Sequence, residues 1–201
     1  MRLSSPTIFS AAILAGALLS GVKALAQKTT YAIDPAHSEV TFGIRHMAIS
    51  TVHGRFGIKD GLIELDPNNI ANSSVVATID VESVDTGVAQ RDGHLKSPDF
   101  FDTGKFPTAT FKSTKVVAAG DGYDVTGDLN LHGVTKPVTL HLDAPSKEQM
   151  GPGNKARRGF TATTTLHRQD FGLTWNKPLS GGDMMLGDDV RMEFDIEAAQ
   201  K

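Results

Sequence analysis

The sequence predicts an all-β protein, with antiparallel strands arranged as a closed barrel or a two-sheet sandwich of about eight strands. Two observations support this fold class. Apolar residues recur at every second position through most of the chain, whereas the spacing typical of amphipathic helices is nearly absent. One segment, Ser83–Phe111, loses this alternation and gathers charged residues, so we expect a short helical or loop insert that covers one end of the fold.

The N-terminal segment predicts a secretory signal peptide rather than part of the fold. Arg2 gives it a positive start, an apolar run follows over Ile8–Leu19, and Ala24-Leu25-Ala26 has the small-x-small form of a cleavage site. We expect cleavage after Ala26, a single domain over residues 27–201, and export of the mature chain. The apolar run is too short for a comfortable transmembrane span, so stable membrane insertion is not expected.

Four strands are predicted in the first half of the exported chain. In the first of them, Val40, Phe42 and Ile44 alternate with polar residues. We expect a hairpin over Gly54–Asp66, because the pair Asp60-Gly61 is typical of type I′ turns. The strand after this hairpin carries apolar residues at alternate positions, namely Val75, Ala77 and Ile79.

The second half of the chain predicts further strands, mostly joined by short turns. Their apolar positions lie in Thr108–Val116, at Tyr123, Val125, Leu129 and Leu131, at Val138, Leu140 and Leu142, in Phe160–Leu166, and at Val190, Met192, Phe194 and Ile196. Two connections are longer. Pro145–Gly159 predicts a mobile hairpin tip, and Arg168–Asp189 carries the only tryptophan, Trp175.

The predicted strands leave open whether the interior is filled or hollow. Small residues such as Ala77, Ala162 and Thr164 interrupt the apolar faces and leave room. A barrel of about eight strands can be filled by side chains or can hold one elongated ligand. In the insert, Thr86–Leu95 predicts a short helix. Four phenylalanines follow it, which either seat the insert on the barrel or line the mouth of an apolar cavity: Phe100, Phe101, Phe106 and Phe111.

The composition excludes several classes of protein. There is no cysteine, so an exported form has no disulfides and must be held by packing alone. A formal net charge of −3 argues against nucleic acid or an anionic membrane as the main partner. The sequence leaves a homodimer open.

Candidate catalytic and metal-binding groups are few. The seven histidines lack the spacings of zinc motifs, so we expect no metal. Without a cysteine or a G-x-S-x-G turn, nucleophilic catalysis is not supported, and we predict that the protein is not an enzyme. Four charged residues of the insert form either an acid–base or anion-binding set or a salt-bridged cap, namely Arg91, Asp92, His94 and Asp99.

Several motifs in the same order resemble the YceI-like family of exported bacterial lipid-binding proteins. The most specific is Arg91-Asp92-x-His94-Leu95, followed by Lys105-Phe106-Pro107. The other motifs are Asp34-Pro35-Ala36-His37-Ser38, Leu131-His132-Gly133-Val134, Arg168-x-Asp170-Phe171-Gly172 and Gly187-Asp188-Asp189-Val190.

This resemblance implies a lipocalin-like antiparallel β-barrel that binds, transports or stores a long-chain amphiphile in the periplasm. The implied partner is a hydrophobic small molecule, namely a polyisoprenoid, an isoprenoid quinone or a fatty-acid derivative, and no cofactor is expected beyond such a bound lipid. The alternative is an enzyme or redox accessory that acts on such a ligand through Arg91, Asp92 and His94. From the alternation, we expect the cavity wall to contain Val40, Phe42, Ile44, Val75, Ile79, Phe111, Leu129, Leu140, Phe160 and Phe194. Candidates for its polar end are Arg45, His46 and His94.

Overall fold

The structure, a computed structural model, describes residues 28–201. The predicted signal peptide and its cleavage site after Ala26 lie outside the described residues. No helix within residues 28–201 is long and apolar enough to cross a bilayer.

Strands account for most of the described chain, which confirms the all-β prediction. The strands are β1 Thr29–Ile33, β2 Glu39–His46, β3 Ser50–Leu65, β4 Ser74–Asp85, β5 Thr108–Ala119, β6 Gly122–Leu131, β7 Val134–Leu142, β8 Gln149–Gly151, β9 Lys155–His167 and β10 Leu186–Gln200. A single α-helix, α1, is described, and it spans Ala89–Lys96 within the insert. Short 3₁₀ turns lie at Pro35–His37, Ile70–Asn72, Pro152–Asn154 and Arg168–Phe171.

The sheet closes on itself, so the fold is a barrel and not a sandwich. Eight strands form an antiparallel ring in the order β2-β3-β4-β5-β6-β7-β9-β10, and β10 also pairs with β2. Strand β1, which precedes the turn at Pro35–His37, also lies between β3 and β10 and pairs with both. Strands β7 and β9 form the shortest pairing in the ring, because only His141↔Thr163 and Leu142↔Ala162 are in register.

The hairpin expected at Asp60-Gly61 is wrong, because β3 runs unbroken from Ser50 to Leu65. Gly61 lacks the positive φ that a type I′ turn requires. The chain instead bulges between Ile58 and Asp60, where the register against β4 shifts. A Cβ on Gly61 would lie 2.4 Å from Ile33 Cδ1 and 2.9 Å from the Val76 carbonyl oxygen. The glycine therefore serves close packing at a bulge.

The Pro145–Gly159 connection does contain a hairpin, formed by β8 and the start of β9. Its base is held by Arg157, whose guanidinium donates to the carboxylates of Asp34 and Glu197. These contacts tie the turn after β1 to β9 and β10. The mobility of the hairpin tip stays a prediction.

Candidate functional site

Within residues 28–201, two well-formed cavities lie inside the barrel, and they share no lining residue. The larger one, about 480 Å³, lies at the end covered by α1 and by the connection after β9. The smaller one, about 110 Å³, lies toward Ile33, Ile70 and Pro145 at the other end. Volumes of a few hundred Å³ and more are typical of small-molecule sites, so the larger cavity is the candidate site.

The wall of the larger cavity combines an apolar surface with a few basic groups. The apolar part comes from the inner faces of β2, β3, β9 and β10 and from side chains of the covering segments. The polar and titratable side chains in this wall are His46, Ser50, Arg91, His94 and Arg168. No carboxylate or side-chain amide is among the described residues that line it. The wall therefore suits an apolar chain with a polar end.

Helix α1 is fixed to the end of β4 through Thr86. The Thr86 amide and hydroxyl both donate to Asp92 Oδ1, at 2.9 and 2.5 Å. Arg91 Nε donates to the Thr86 hydroxyl at 2.8 Å, and Arg91 Nη2 donates to the Thr86 carbonyl at 3.0 Å. Asp92 is thus committed to holding the helix start, whereas Arg91 also reaches the cavity wall. Of the two interpretations of this cluster, the arrangement favours the structural cap for Asp92.

His94 belongs to an aromatic group at the mouth of the cavity. Its ring packs edge-on against Phe100 and Trp175, with centroids 5.0 and 5.1 Å apart. The Phe100 and Trp175 rings are themselves 5.1 Å apart. His94 Nε2 lies 2.9 Å from Asp99 Oδ2 on the outer side of the insert. These contacts join the insert to the long connection at the larger cavity.

Arg168 is a buried cation in the same wall, with a relative exposure of 4%. Its Nε donates to the Gly187 carbonyl at 2.9 Å, and its Nη1 donates to the carbonyls of Leu173 and Trp175. Its Nη2 has no hydrogen-bond partner within residues 28–201. Burial lowers the pKa of Arg168 from its usual value, and the Asp188 carboxylate, 4.0 Å from Nε, opposes that shift. Arg168 thereby holds the connection that forms one side of the cavity.

Most of the residues that the sequence proposed for the wall do face a cavity, but they divide between the two. Phe42, Ile44, His46 and His94 line the larger one. The smaller cavity is lined by the other members of the set that reach a cavity, namely Val75, Ile79, Phe111, Leu140, Phe160 and Phe194. Val40 and Leu129 are buried but line neither.

Arg45 lies outside both cavities, so we no longer place it at the polar end. Its Nη2 donates to the Ala48 carbonyl at 2.7 Å and its Nη1 to the Thr51 hydroxyl at 3.2 Å. The reason is the alternation itself: Ile44 and His46 line the cavity, so the residue between them points outward.

The four phenylalanines of the insert serve different places. Phe100 and Phe101 line the larger cavity, whereas Phe111 lies on the wall of the smaller one. Phe106 packs against His132, with ring centroids 4.8 Å apart, at the β6–β7 turn. Some of these phenylalanines therefore line a cavity, and Phe106 instead packs the insert against the barrel.

Sequence reasoning did not select the wall residues of the Arg168–Asp189 connection. These are Arg168, Phe171, Leu173, Trp175, Met185 and Leu186. They lack a strand period, so alternation could not select them. The presence of the only tryptophan in a long glycine-containing connection was the available signal.

The three-residue group of possible metal ligands that the described chain offers lies elsewhere, at Asp34, His37 and Glu197. The Arg157 guanidinium lies between Asp34, at 2.8 Å, and Glu197. Together with a bond from His37, this lowers the pKa of Asp34 to about 2. The carboxylates already have a cationic partner, so the group is better described as an ion-pair network.

Comparison with known proteins gives concordant results. A family model described as the YceI-like domain matches residues 31–198. A UPF0312 protein of Vibrio vulnificus (strain YJ016) is 42% identical over 188 residues, covering 92% of this chain and 95% of that protein. BcnA of Burkholderia cenocepacia superimposes with a TM-score of 0.69 at 25% identity, covering 82% of this chain and 98% of BcnA. A polyisoprenoid-binding domain from Saccharophagus degradans superimposes with a TM-score of 0.57 at 18% identity, covering 87% of this chain and 100% of that domain, and this likeness bears on the fold.

Proposed function

The chain belongs to the YceI-like domain family, and from that premise we propose that it binds one long-chain amphiphile inside its barrel. The ligand classes are those that the family resemblance implies: a polyisoprenoid, an isoprenoid quinone or a fatty-acid derivative. The observation that carries the proposal is the cavity of about 480 Å³ in the covered end of the barrel. Its apolar wall and few polar groups match the general pattern of small-molecule sites.

The apolar wall can supply enough free energy for tight but reversible binding. Burying a methylene gains ~0.8 kcal/mol, so ten of them give a gross gain on the order of 8 kcal/mol. The loss of translational and rotational freedom and the ordering of the chain offset several kcal/mol of this gain. Because apolar contacts are non-directional, the tail should be accepted with modest discrimination.

We propose a binding role without catalysis. The alternative assigns chemistry to Arg91, Asp92 and His94, yet Asp92 is bonded to Thr86 and His94 Nε2 pairs with Asp99. This division of the cluster supports a structural role for Asp92 and leaves Arg91 and His94 as groups that contact a ligand. We also propose that the chain is exported with cleavage after Ala26 and carries or stores its ligand in the periplasm.

The test is to express the full chain in a bacterium, purify it without detergent and analyse an organic extract by mass spectrometry. We expect an amphiphile at a stoichiometry near one per protein. If the extract contains none, defined lipids are added to the protein after an organic-solvent wash and binding is measured again. A folded protein that binds neither native nor added amphiphiles would overturn the proposal. The intact mass reports the cleavage site, and a native mass reports whether the protein is a monomer or a homodimer.

A further inference from the structure

We propose that the head group of the bound amphiphile is an oxyanion, a carboxylate or a phosphate, that lies beside Arg91, Arg168 and His46 in the larger cavity. This inference rests on the proposed function and specifies the chemistry of the ligand. It follows from three features of the wall: which cavity carries polar groups, what those groups can bond, and how the charge of Arg168 is compensated.

The two cavities differ in polarity. Apart from Ser73 and Ser74, every side chain that lines the smaller cavity is apolar. The larger cavity contains four basic side chains, which come from β2, from α1 and from the turn after β9: His46, Arg91, His94 and Arg168. A polar head group therefore belongs in the larger cavity, at the end closed by α1.

The hydrogen-bonding capacity of this wall favours acceptors. An arginine side chain has only donors, so Arg91 and Arg168 cannot accept from a ligand. The bonds to Thr86 use Arg91 Nε and Nη2 and leave its Nη1 outside that pair of bonds. A head group with several acceptor oxygens matches these donors, whereas an ammonium group would meet two guanidinium groups of the same charge.

The nearby carboxylates are directed at other groups. Asp92 accepts from Thr86, and Asp99 pairs with His94. Asp188 Oδ1 accepts from the backbone N–H of Gln169 at 3.3 Å. None of the three lines the larger cavity, so the described residues of its wall carry no negative charge.

Arg168 adds a buried positive charge that is only partly compensated. Its hydrogen-bond partners are neutral backbone carbonyls, and the Asp188 carboxylate lies 4.0 Å from Nε, beyond hydrogen-bond distance. Because Nη2 is buried, we assign Arg168 a charge interaction across the wall and assign the direct hydrogen bonds to Arg91. An anion in the cavity would lower the cost of burying this guanidinium.

The experiment compares ligands that share a tail and differ in head group. Protein washed free of lipid is titrated with oleate, oleamide, oleyl alcohol and oleylamine, and separately with geranylgeranyl phosphate and geranylgeraniol. We expect the carboxylate and the phosphate to bind roughly tenfold or more tightly than the matched alcohols, and the amine to bind least tightly. The tighter of the two anions indicates whether a fatty acid or a prenyl phosphate is the source of the head group.

A matched pair of variants locates the effect. Arg91→Gln should reduce the preference for the anion over the alcohol several-fold, because it removes a charge from the cavity wall. Arg45→Gln removes the same charge at the same end of the barrel but outside the cavity, and the preference should be unchanged. If Arg91→Gln does not fold, Arg91→Lys and the wild-type ligand series still decide whether the site prefers an oxyanion head group.

The outcomes separate the inference from the proposed function. Equal affinities across the head groups, or tighter binding of the amine, would overturn the oxyanion site while leaving lipid binding intact. A preference for the anion that Arg45→Gln abolishes and Arg91→Gln does not would also overturn it. Failure of every ligand in both series to bind would overturn the proposed function itself.

Discussion

The ring of Phe42 lies over Gly54, its partner in register on the neighbouring strand. A Cβ on Gly54 would stand 2.4 Å from Phe42 Cζ, far inside van der Waals contact. The Phe42 ring also packs on Phe56, with centroids 5.2 Å apart, and Phe56 in turn contacts Phe101 of the insert at 5.5 Å. The glycine thus determines where an aromatic side chain of the larger cavity can lie.

The first prediction follows from this contact. Gly54→Ala should displace the Phe42 ring, reduce the volume available to a ligand and destabilise the fold by roughly 1–3 kcal/mol. Binding affinity and the free energy of unfolding in denaturant measure the two effects. Gly57→Ala is the control on the same strand, because its Cβ would lie 3.4 Å from the nearest atom, Ser83 Oγ. Equal affinities for the two variants would contradict the assigned position of Phe42 in the binding site.

A second prediction concerns the volume of each cavity. Phe42→Trp adds bulk to the larger cavity and should weaken the binding of every amphiphile that the wild type retains. Ala162→Leu adds bulk to the smaller cavity, so its effect should be confined to the longest tails. Titrations with a series of tail lengths, together with thermal unfolding to verify cooperative folding, measure both. If neither variant alters binding, the ligand does not lie along the barrel axis.

The third prediction is that Arg168 contributes to stability as well as to the cavity. Arg168→Met would leave the carbonyls of Leu173, Trp175 and Gly187 without their donor and should destabilise the fold by about 3 kcal/mol or more. Denaturant unfolding measures the loss, and limited proteolysis should show earlier cleavage in the connection after β9. Arg191→Met, at an exposed position on β10, is the control and should change stability little. Equal losses for both variants would argue against a special role for Arg168.

Residue alternation predicted much of the barrel wall because the direction of a strand side chain depends on local geometry. Phe111 and Phe160, selected in that way, both line a cavity. Arg168 and Trp175 could not be selected, because their positions depend on how a connection without a period folds back over the barrel end. The unbroken strand at Gly61 was missed for a related reason: an Asp-Gly pair favours a turn locally, but the neighbouring Ile33 side chain, distant in sequence, requires a glycine in an extended strand.

The fourth prediction concerns the acid dependence of stability. Arg157 and His37 lower the pKa of Asp34 from 3.8 to about 2, so the folded state favours its ionised form. This contribution is fully present above about pH 5, where Asp34 is ionised in both states, and is lost as the pH falls from about 5 through about 2. Asp34→Asn should therefore lower the melting temperature at pH 7, and its difference from wild type should shrink over that range. Asp121→Asn, in the exposed β5–β6 turn, is the control; a pH-independent difference for Asp34→Asn would contradict the ion-pair account.

The last prediction uses the single tryptophan as a reporter and tests the absence of catalysis. Trp175 lines the larger cavity and contacts His94, so ligand binding should shift its fluorescence, and no other tryptophan contributes to the signal. His94→Ala removes the edge-on contact at the cavity mouth and should weaken binding several-fold in a fluorescence titration.

The same variant tests the absence of catalysis. Mass spectrometry of the ligand recovered after long incubation should give the same mass with wild type and variant. A ligand converted by the wild type and left intact by His94→Ala would instead make His94 part of an enzyme.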